Sequence, residues 1–260
     1  MKNFGILLFL FLLLLSPVQG AVFSGGVEKT GLGTGSMILD ADTNQPVENV
    51  KITIPQKNFK TFTDENGRFT LSTKTDSPMI MSIEKEGYRP YSITLDKTMN
   101  GKPLVVSIEK SMPGDIIINS GWQHLGDNSY SSNSANSDDF HEKAAGAFYS
   151  QNFKIPVDKV ISRYYLIIGS IIGIDSLMAQ KMGQNKIKTS YATPPEIYLN
   201  GIKIANIELN GDSQRFELPK NLIRRGADNE VTIKTGKNMA STSRIDYDDI
   251  EFMNLSVITE

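Results

Sequence analysis

The chain contains no cysteine, and it has only two histidines and one tryptophan among its 260 residues. Without cysteine it can form no disulfide bond and no thiolate metal site, and it lacks the residue that carries the lipid of a lipoprotein. Two histidines leave little scope for acid–base or metal chemistry. These absences favour a protein that is stabilised by packed cores or bound ions.

Residues 1–20 read MKNFGILLFLFLLLLSPVQG, with Lys2 ahead of a short apolar run and small residues before Ala21. This pattern predicts a secretory signal peptide with cleavage after Gly20, because the apolar run is short for a membrane span. An uncleaved N-terminal anchor is the alternative. Both alternatives predict an exported protein, either secreted or in the periplasm or cell envelope.

Strong positive charge is also missing. Residues 1–20 hold one of the 27 basic residues and none of the 29 acidic ones, so the remaining chain has a net charge near −3. This charge gives no electrostatic reason to expect nucleic acid as a partner. The apolar run at 160–175 has only eleven uncharged residues between Arg163 and Asp175. It predicts a buried strand, and no transmembrane segment is expected after signal cleavage.

Residues 21–35 carry five glycines without periodicity and predict a flexible linker. From 36 to 111 the sequence has short alternating runs separated by turn residues and shows no helical stretch, which predicts a small antiparallel sandwich. The seven predicted strands are SMILDA, NVKITIP, FKTFT, GRFTLS, PMIMSIEK, YSITLD and PLVVSIEK.

The turn motifs of this region are specific. The stretches GSMILDADTNQPVENVKITI, FKTFTDENGRFTL and KEGYRPYSITLD resemble the carboxypeptidase regulatory-like, transthyretin-type domain over about 35–110. The resemblance implies a seven-stranded accessory sandwich, since the peptidase of such proteins is a separate zinc domain. The matching positions are interpreted as turn or packing residues: Asp40, Pro46, Asp64, Gly67 and Gly87-Tyr88.

Residues 112–260 begin with a long polar stretch and return to strand patterns. Asn200-Gly201 in PEIYLNGIKI is a strong signal for a tight hairpin. With Leu222-Ile223, Gly226 and Asn229, this order resembles the galactose-binding-like jelly roll of many carbohydrate-binding modules. The last strand offers Ile250, Phe252, Leu255 and Val257 to a core on either side of an irregularity at Met253-Asn254. The predicted fold is therefore all-β, with two antiparallel β-sandwiches.

No catalytic motif is complete. His141-Glu142 begins like a zincin helix, but residue 145 is alanine where the second ligand would lie. His124 and Asp127 have the spacing of two carboxypeptidase zinc ligands, although with Asp in place of Glu. The serines lack a G-x-S-x-G elbow. A hydrolase is kept only as a minor alternative, and the chain is predicted not to be an enzyme.

The aromatic residues in and beside the long polar stretch suit binding. Flat rings stack on the apolar faces of sugars while polar groups hydrogen-bond the hydroxyls. The predicted carbohydrate-binding residues are Trp122, His124, Tyr130 and Tyr149. The alternative for Trp122 and Tyr149 is that they fill the second core.

Aspartates cluster in the polar stretch and before the last strand. Jelly-roll modules of this kind often carry a structural Ca²⁺ between an early loop and the last strand, and carboxylates are the ligands such an ion selects. The resemblance therefore implies a Ca²⁺ site, for which Asp127 and Asp249 are the predicted ligands. A solvated acidic turn is the alternative.

These observations predict an exported, non-catalytic protein that recognises carbohydrate or a cell-surface glycan through its second domain. One alternative is a structural or adhesive envelope protein that binds other envelope proteins, since exposed strand edges can pair with a partner's sheet. The other is an accessory subunit of a secreted hydrolase. The sequence names no particular ligand.

Overall fold

The computed structural model describes residues 35–128, 140, 143–157, 163–185, 191–240 and 243–260. The expected signal peptide, nearly all of the expected linker and Tyr130 lie outside these residues. The all-β class is confirmed, because the described residues form sixteen strands and one short α-helix, α1 (Leu177–Lys181), with three 3-10 turns.

The first sandwich contains seven strands, one for each strand that the sequence predicts. They form a three-stranded sheet in the order β4-β1-β7 and a four-stranded sheet in the order β3-β2-β5-β6. One pairing departs from the expected antiparallel pattern, because β1 and β7 run parallel. The strands are β1 (Ser36–Asp40), β2 (Lys51–Ile54), β3 (Phe59–Phe62), β4 (Arg68–Phe69), β5 (Met79–Glu84), β6 (Tyr91–Leu95) and β7 (Val105–Ile108).

Side chains of the turn motif hold the first sandwich together. Asp40 accepts hydrogen bonds from the Thr43 backbone N–H and the Tyr88 hydroxyl, both at 2.9 Å. Asp64 accepts the Arg68 N–H at 2.8 Å, which closes the β3–β4 turn. Gly67 has φ +68°, and a Cβ there would lie 2.6 Å from the Ile38 carbonyl oxygen. These residues therefore have the turn and packing roles that the sequence predicts.

The second sandwich also has two sheets, in the orders β10-β15-β12-β13 and β14-β11-β16-β8, with β9 added beside β16. All of its strand pairings within these sheets are antiparallel. The strands are β8 (Ile116–Asn119), β9 (Gln123–Leu125), β10 (Phe148–Lys154), β11 (Tyr164–Ile172), β12 (Glu196–Leu199), β13 (Ile202–Asn206), β14 (Gly211–Glu217), β15 (Asp228–Lys234) and β16 (Ile250–Thr259).

The core of the second sandwich lies between these sheets. The apolar run at 160–175 forms β11, whose residues are almost all buried, as expected for a central strand. The four predicted core residues of β16 are all at most 1% exposed: Ile250, Phe252, Leu255 and Val257. Asn254 lies between them with φ +59°, and the pairing of β16 with β11 is interrupted there. The predicted irregularity is thus confirmed.

The two sandwiches pack sheet against sheet. Residues of β5 and β6 contact β11, β14 and β16. Ile80 from β5 joins Phe140, Ile172 and Met253 in a small apolar cluster between the sandwiches. At its edge, Asn254 donates hydrogen bonds to the Ser82 hydroxyl at 3.1 Å and the Tyr91 carbonyl at 2.9 Å. The outer face of the five-stranded sheet is therefore covered by the first sandwich.

The only α-helix in the described part of the chain is a five-residue turn, and no helix there is long and apolar enough to span a membrane.

Candidate functional site

His124 and Asp249 form a buried pair at one edge of the second sandwich. Strand β9 pairs with the start of β16, which brings His124 beside Asp249. The His124 Nε2 and the Asp249 Oδ1 are 3.0 Å apart, and each side chain is 2% exposed. The Phe140 ring packs on the imidazole with centroids 4.9 Å apart. His124 therefore faces Asp249, and a contact with a surface ligand would require the imidazole to move.

Asp127 and Asp249 lie at the junction between the early loop and the last strand. Asp249 Oδ1 also accepts the Asn128 N–H at 3.2 Å, and Asp127 Oδ2 accepts the Tyr247 N–H at 3.1 Å. A Cβ at Gly126 would lie 2.1 Å from Asp249 Oδ1, so this close approach requires glycine. The two segments that the expected Ca²⁺ would join are thus already joined by hydrogen bonds.

A set of buried carboxyl groups extends from this junction: Asp175, Asp246, Asp248 and Asp249 are all at most 7% exposed. The Asp175 N–H donates to Asp248 Oδ2 at 3.0 Å. Burial, followed by the charge of Asp175, raises the pKa of Asp248 well above its usual range. No three His, Asp or Glu side chains of the described residues are grouped so as to hold a metal ion. The Ca²⁺ expectation at Asp127 and Asp249 stays a prediction.

The other predicted binding residues point to different parts of the molecule. Trp122 is half-buried against the cluster between the sandwiches, and its buried Nε1 has no hydrogen-bond partner among the described residues. Tyr149 packs on the second core, edge-on to Phe252 at 5.7 Å, and its hydroxyl accepts a hydrogen bond from Asn119 at 2.8 Å. Trp122, His124 and Tyr149 therefore form no common exposed surface in the described structure.

The hairpin at Asn200-Gly201 has a structural role. Asn200 Nδ2 donates to the Leu222 carbonyl at 2.7 Å and to Asn229 Oδ1 at 3.0 Å, and its Oδ1 accepts the Glu230 N–H at 2.9 Å. Asn229 in turn donates to the Arg224 carbonyl and accepts its N–H, both at 2.8 Å. These amides tie the hairpin to the turn before β15. The motif therefore stabilises the sandwich.

An exposed aromatic residue escaped the sequence analysis. Phe148, the first residue of β10, is 61% exposed on the outer face of the β10-β15-β12-β13 sheet. The sequence reads Phe148-Tyr149, so alternation alone allows either ring to face out. The strand register decides which ring is exposed. Tyr149 pairs with Ile233, which lies in the core, so Tyr149 faces inward, whereas Phe148 pairs with Lys234 and faces out.

Comparison with known proteins bears on the first sandwich. Residues 34–113 match the family model described as CarboxypepD_reg-like domain. The resemblance of the turn motifs to carboxypeptidase regulatory-like domains is thereby confirmed for this part of the chain. This domain supplies the seven strands β1–β7. In this structure the motif residues Asp40, Asp64 and Gly67 form turn hydrogen bonds and packing contacts, as described above.

The remaining comparisons add little. No match was found among curated proteins. Among solved structures, the GH31 alpha-xylosidase from Xanthomonas citri aligns at 7% identity with a TM-score of 0.14. The alignment covers 88% of this chain and 38% of that enzyme. A likeness at this level carries no argument about fold or activity.

Proposed function

We propose that this chain is an exported, non-catalytic binding protein that recognises carbohydrate or a cell-surface glycan through its second sandwich. The observation that carries the proposal is the amide network around Asn200 and Asn229. It is formed by the residues that resemble the galactose-binding-like pattern, and it stabilises a sandwich whose β10-β15-β12-β13 sheet is not covered by the first sandwich.

The chemistry of the described residues agrees with a binding role. The imidazole of His124 is paired with Asp249 inside the protein, which supports a binding role because contact with a substrate at the surface would require the imidazole to move. The first sandwich matches an accessory type of domain. Its packing against the five-stranded sheet gives the second sandwich a fixed support. A rigid, pre-formed support favours affinity because less conformational entropy is lost when a ligand binds.

The proposal includes a structural Ca²⁺ at Asp127 and Asp249. Each carboxylate has one oxygen bonded to a backbone N–H, as described above. Such an ion would bind the folded chain and raise its unfolding temperature by mass action. We expect added Ca²⁺ to stabilise the protein and Asp127→Asn to reduce that effect.

Thermal unfolding of the chain from residue 21 onward tests the proposal. The protein would be heated with a panel of soluble polysaccharides, in Ca²⁺ or in EDTA. A rise in unfolding temperature with one class of sugar, saturable with its concentration, is expected because the ligand binds the folded state. A folded protein that responds to no sugar would contradict the proposal, and co-purification of envelope proteins would then favour the adhesive alternative.

A further inference from the structure

The second sandwich has one sheet face that the first sandwich does not cover. The first sandwich is joined to β14 through Asp212 and to β16 through Glu251 and Asn254. These strands belong to the five-stranded sheet. Strands β10, β15, β12 and β13 form the opposite sheet, so the outer side chains of that sheet point away from the first sandwich.

The strand register gives the composition of this outer face. Phe148 of β10 lies beside Lys234 of β15, and Asn152 lies beside Glu230. Between these pairs, the Ser150 and Thr232 hydroxyls are 2.7 Å apart. The face thus has an exposed ring at one end of β10 and hydrogen-bonding groups along the rest of it.

At the Asn152 end of this face the surface forms a shallow depression, called the corner space below. It has a volume of about 350 Å³ and is lined by Asn152, Asn200, Gly201, Arg224, Asp228 and Glu230. Its size is at the lower end of the range for small-molecule sites. Phe148 and Asn152 are four positions apart on β10, which corresponds to about 13 Å along an extended strand. This length exceeds one sugar ring and suits a short oligosaccharide.

The charges on this face are nearly balanced. Lys203 pairs with Glu196 at 2.5 Å, and Lys154 pairs with Asp228 at 3.6 Å. The Lys234 ammonium lies 4.2 Å from the centre of the Tyr198 ring. Arg224 and Glu230, of opposite sign, both line the corner space. A face without a dominant charge does not select an anionic polymer, whereas a neutral ligand rich in hydroxyl groups matches it.

We propose that the outer face of the β10-β15-β12-β13 sheet binds a neutral oligosaccharide. A sugar ring stacks on Phe148. The hydroxyl groups of the following rings hydrogen-bond to Ser150, to Asn152 and to the polar side chains that line the corner space. This site differs from the one expected at Trp122 and His124. The inference rests on the proposed carbohydrate-binding function and specifies the surface and the charge class of the ligand.

Binding of the chain from residue 21 onward to soluble xyloglucan, galactomannan, laminarin and pullulan tests this site. Phe148→Ala is compared with Phe62→Ala, a matched control on β3 of the first sandwich that removes a ring 49% exposed. We expect Phe148→Ala to weaken binding of the preferred polysaccharide by about tenfold or more, since aromatic stacking contributes on that scale. Phe62→Ala should leave binding unchanged. Asn152→Ala, at the polar end, should also weaken binding.

The outcomes separate the two proposals. Sugar binding that survives both Phe148→Ala and Asn152→Ala but is lost in Trp122→Ala would overturn this site and leave the proposed function intact. Stronger binding to the acidic polysaccharide alginate than to every neutral one would overturn the proposed ligand class. No binding to any polysaccharide by the folded protein would overturn both proposals, even if Phe148→Ala abolished binding of a protein partner.

Discussion

At the scale of single residues, the buried carboxylates before β16 are the least ordinary feature of the protein. Asp248 is 5% exposed, and its Oδ2 accepts the Asp175 N–H. Burial and the nearby charge of Asp175, with smaller effects from Asp249 and Asp246, raise the pKa of Asp248. The folded protein therefore binds a proton at this site more tightly than the unfolded chain does.

This difference predicts a pH dependence of stability. The stabilising contribution of Asp248 to the free energy of unfolding is fully present below the ordinary aspartate pKa of about 4. It is lost as the pH rises through the raised pKa of Asp248 in the folded protein. Each pKa unit corresponds to about 1.4 kcal/mol. Asp248→Asn keeps an acceptor for the Asp175 N–H without the charge. We expect this variant to be more stable than the native protein at pH 8, and the difference to shrink toward pH 4.

Urea unfolding across this pH range, in EDTA, measures the effect. Asp228→Asn is the control, because the Asp228 side chain is 63% exposed and its ion-pair partner is a surface lysine, Lys154. That pair is expected to contribute little to stability. A native protein that is more stable than Asp248→Asn at pH 8 would show that the buried carboxylate is stabilised as an anion, by a bound cation or by another donor.

At the scale of elements, strand β16 has two different faces that are both buried. One face presents Ile250, Phe252, Leu255 and Val257 to the core of the second sandwich. On the other, Glu251 accepts a hydrogen bond from Gln56 at 2.6 Å, and Asn254 bonds Ser82 and Tyr91. Asn254, the residue of β16 with a positive φ, thus also hydrogen-bonds the second sandwich to the first.

Two substitutions separate the side chain of Asn254 from its backbone conformation. Asn254→Gly keeps the positive φ at low cost but leaves the Tyr91 carbonyl without its donor, which should lower the free energy of unfolding by about 1–3 kcal/mol. Asn254→Ala also places a Cβ in a left-handed conformation, which should cost about 1 kcal/mol more. Urea unfolding measures both. Equal stability of the two variants would show that the backbone at this position relaxes.

At the scale of the whole molecule, the packing of the two sandwiches makes them one structural unit. Asp212 of β14 accepts hydrogen bonds from the Thr94 N–H at 3.0 Å, the Thr94 hydroxyl at 2.7 Å and the Ser170 hydroxyl at 2.7 Å. A Cβ at Gly169 would lie 2.5 Å from the Ser92 hydroxyl oxygen and 2.7 Å from the Asn254 Cβ. The interface is therefore close-packed and polar as well as apolar.

We expect the native protein to unfold in a single transition because each sandwich covers a sheet of the other. Trp122, the only tryptophan, lies at the interface and reports on it by fluorescence. Gly169→Val should separate the sandwiches, so that Trp122 fluorescence changes at a lower temperature than the far-UV circular dichroism. Ser150→Val, on the exposed face of β10, is the control and should keep both signals coincident. Two transitions in the native protein would contradict this expectation.

Much of the fold follows from local sequence features. The seven strands of the first sandwich were predicted because turn residues such as Asn66-Gly67 separate runs with a period of two. The core face of β16 and its irregularity were also predicted, since the apolar residues change phase at Met253-Asn254. The parallel pairing of β1 with β7 was not predicted, because strands far apart in sequence leave no local mark of their direction.

The candidate sites, in contrast to the fold, depend mainly on features that the sequence does not predict. Aromatic and polar residues near Trp122 predicted a surface for sugar, but the structure places Trp122 between the sandwiches and His124 against Asp249. It places Phe148 outside and Tyr149 inside. Each ring is apolar, and the sequence has no signal that distinguishes burial in a core, burial between sandwiches and exposure.

The sequence by itself therefore determined the all-β class, the seven strands of the first sandwich, the central and last strands of the second and the tight turns, because these depend on backbone preferences and on spacing within a few residues. Strands β8 and β9 lie in or beside the stretch that the sequence marks as polar, and only the structure shows them. Only the tertiary structure decided that the polar face of β16 is covered by the first sandwich, that four aspartates come together in the interior, and that the first sandwich leaves the β10-β15-β12-β13 sheet of the second uncovered. These features depend on contacts between residues that lie up to about two hundred positions apart, such as Gln56 and Glu251, and the packing of whole sheets sets them.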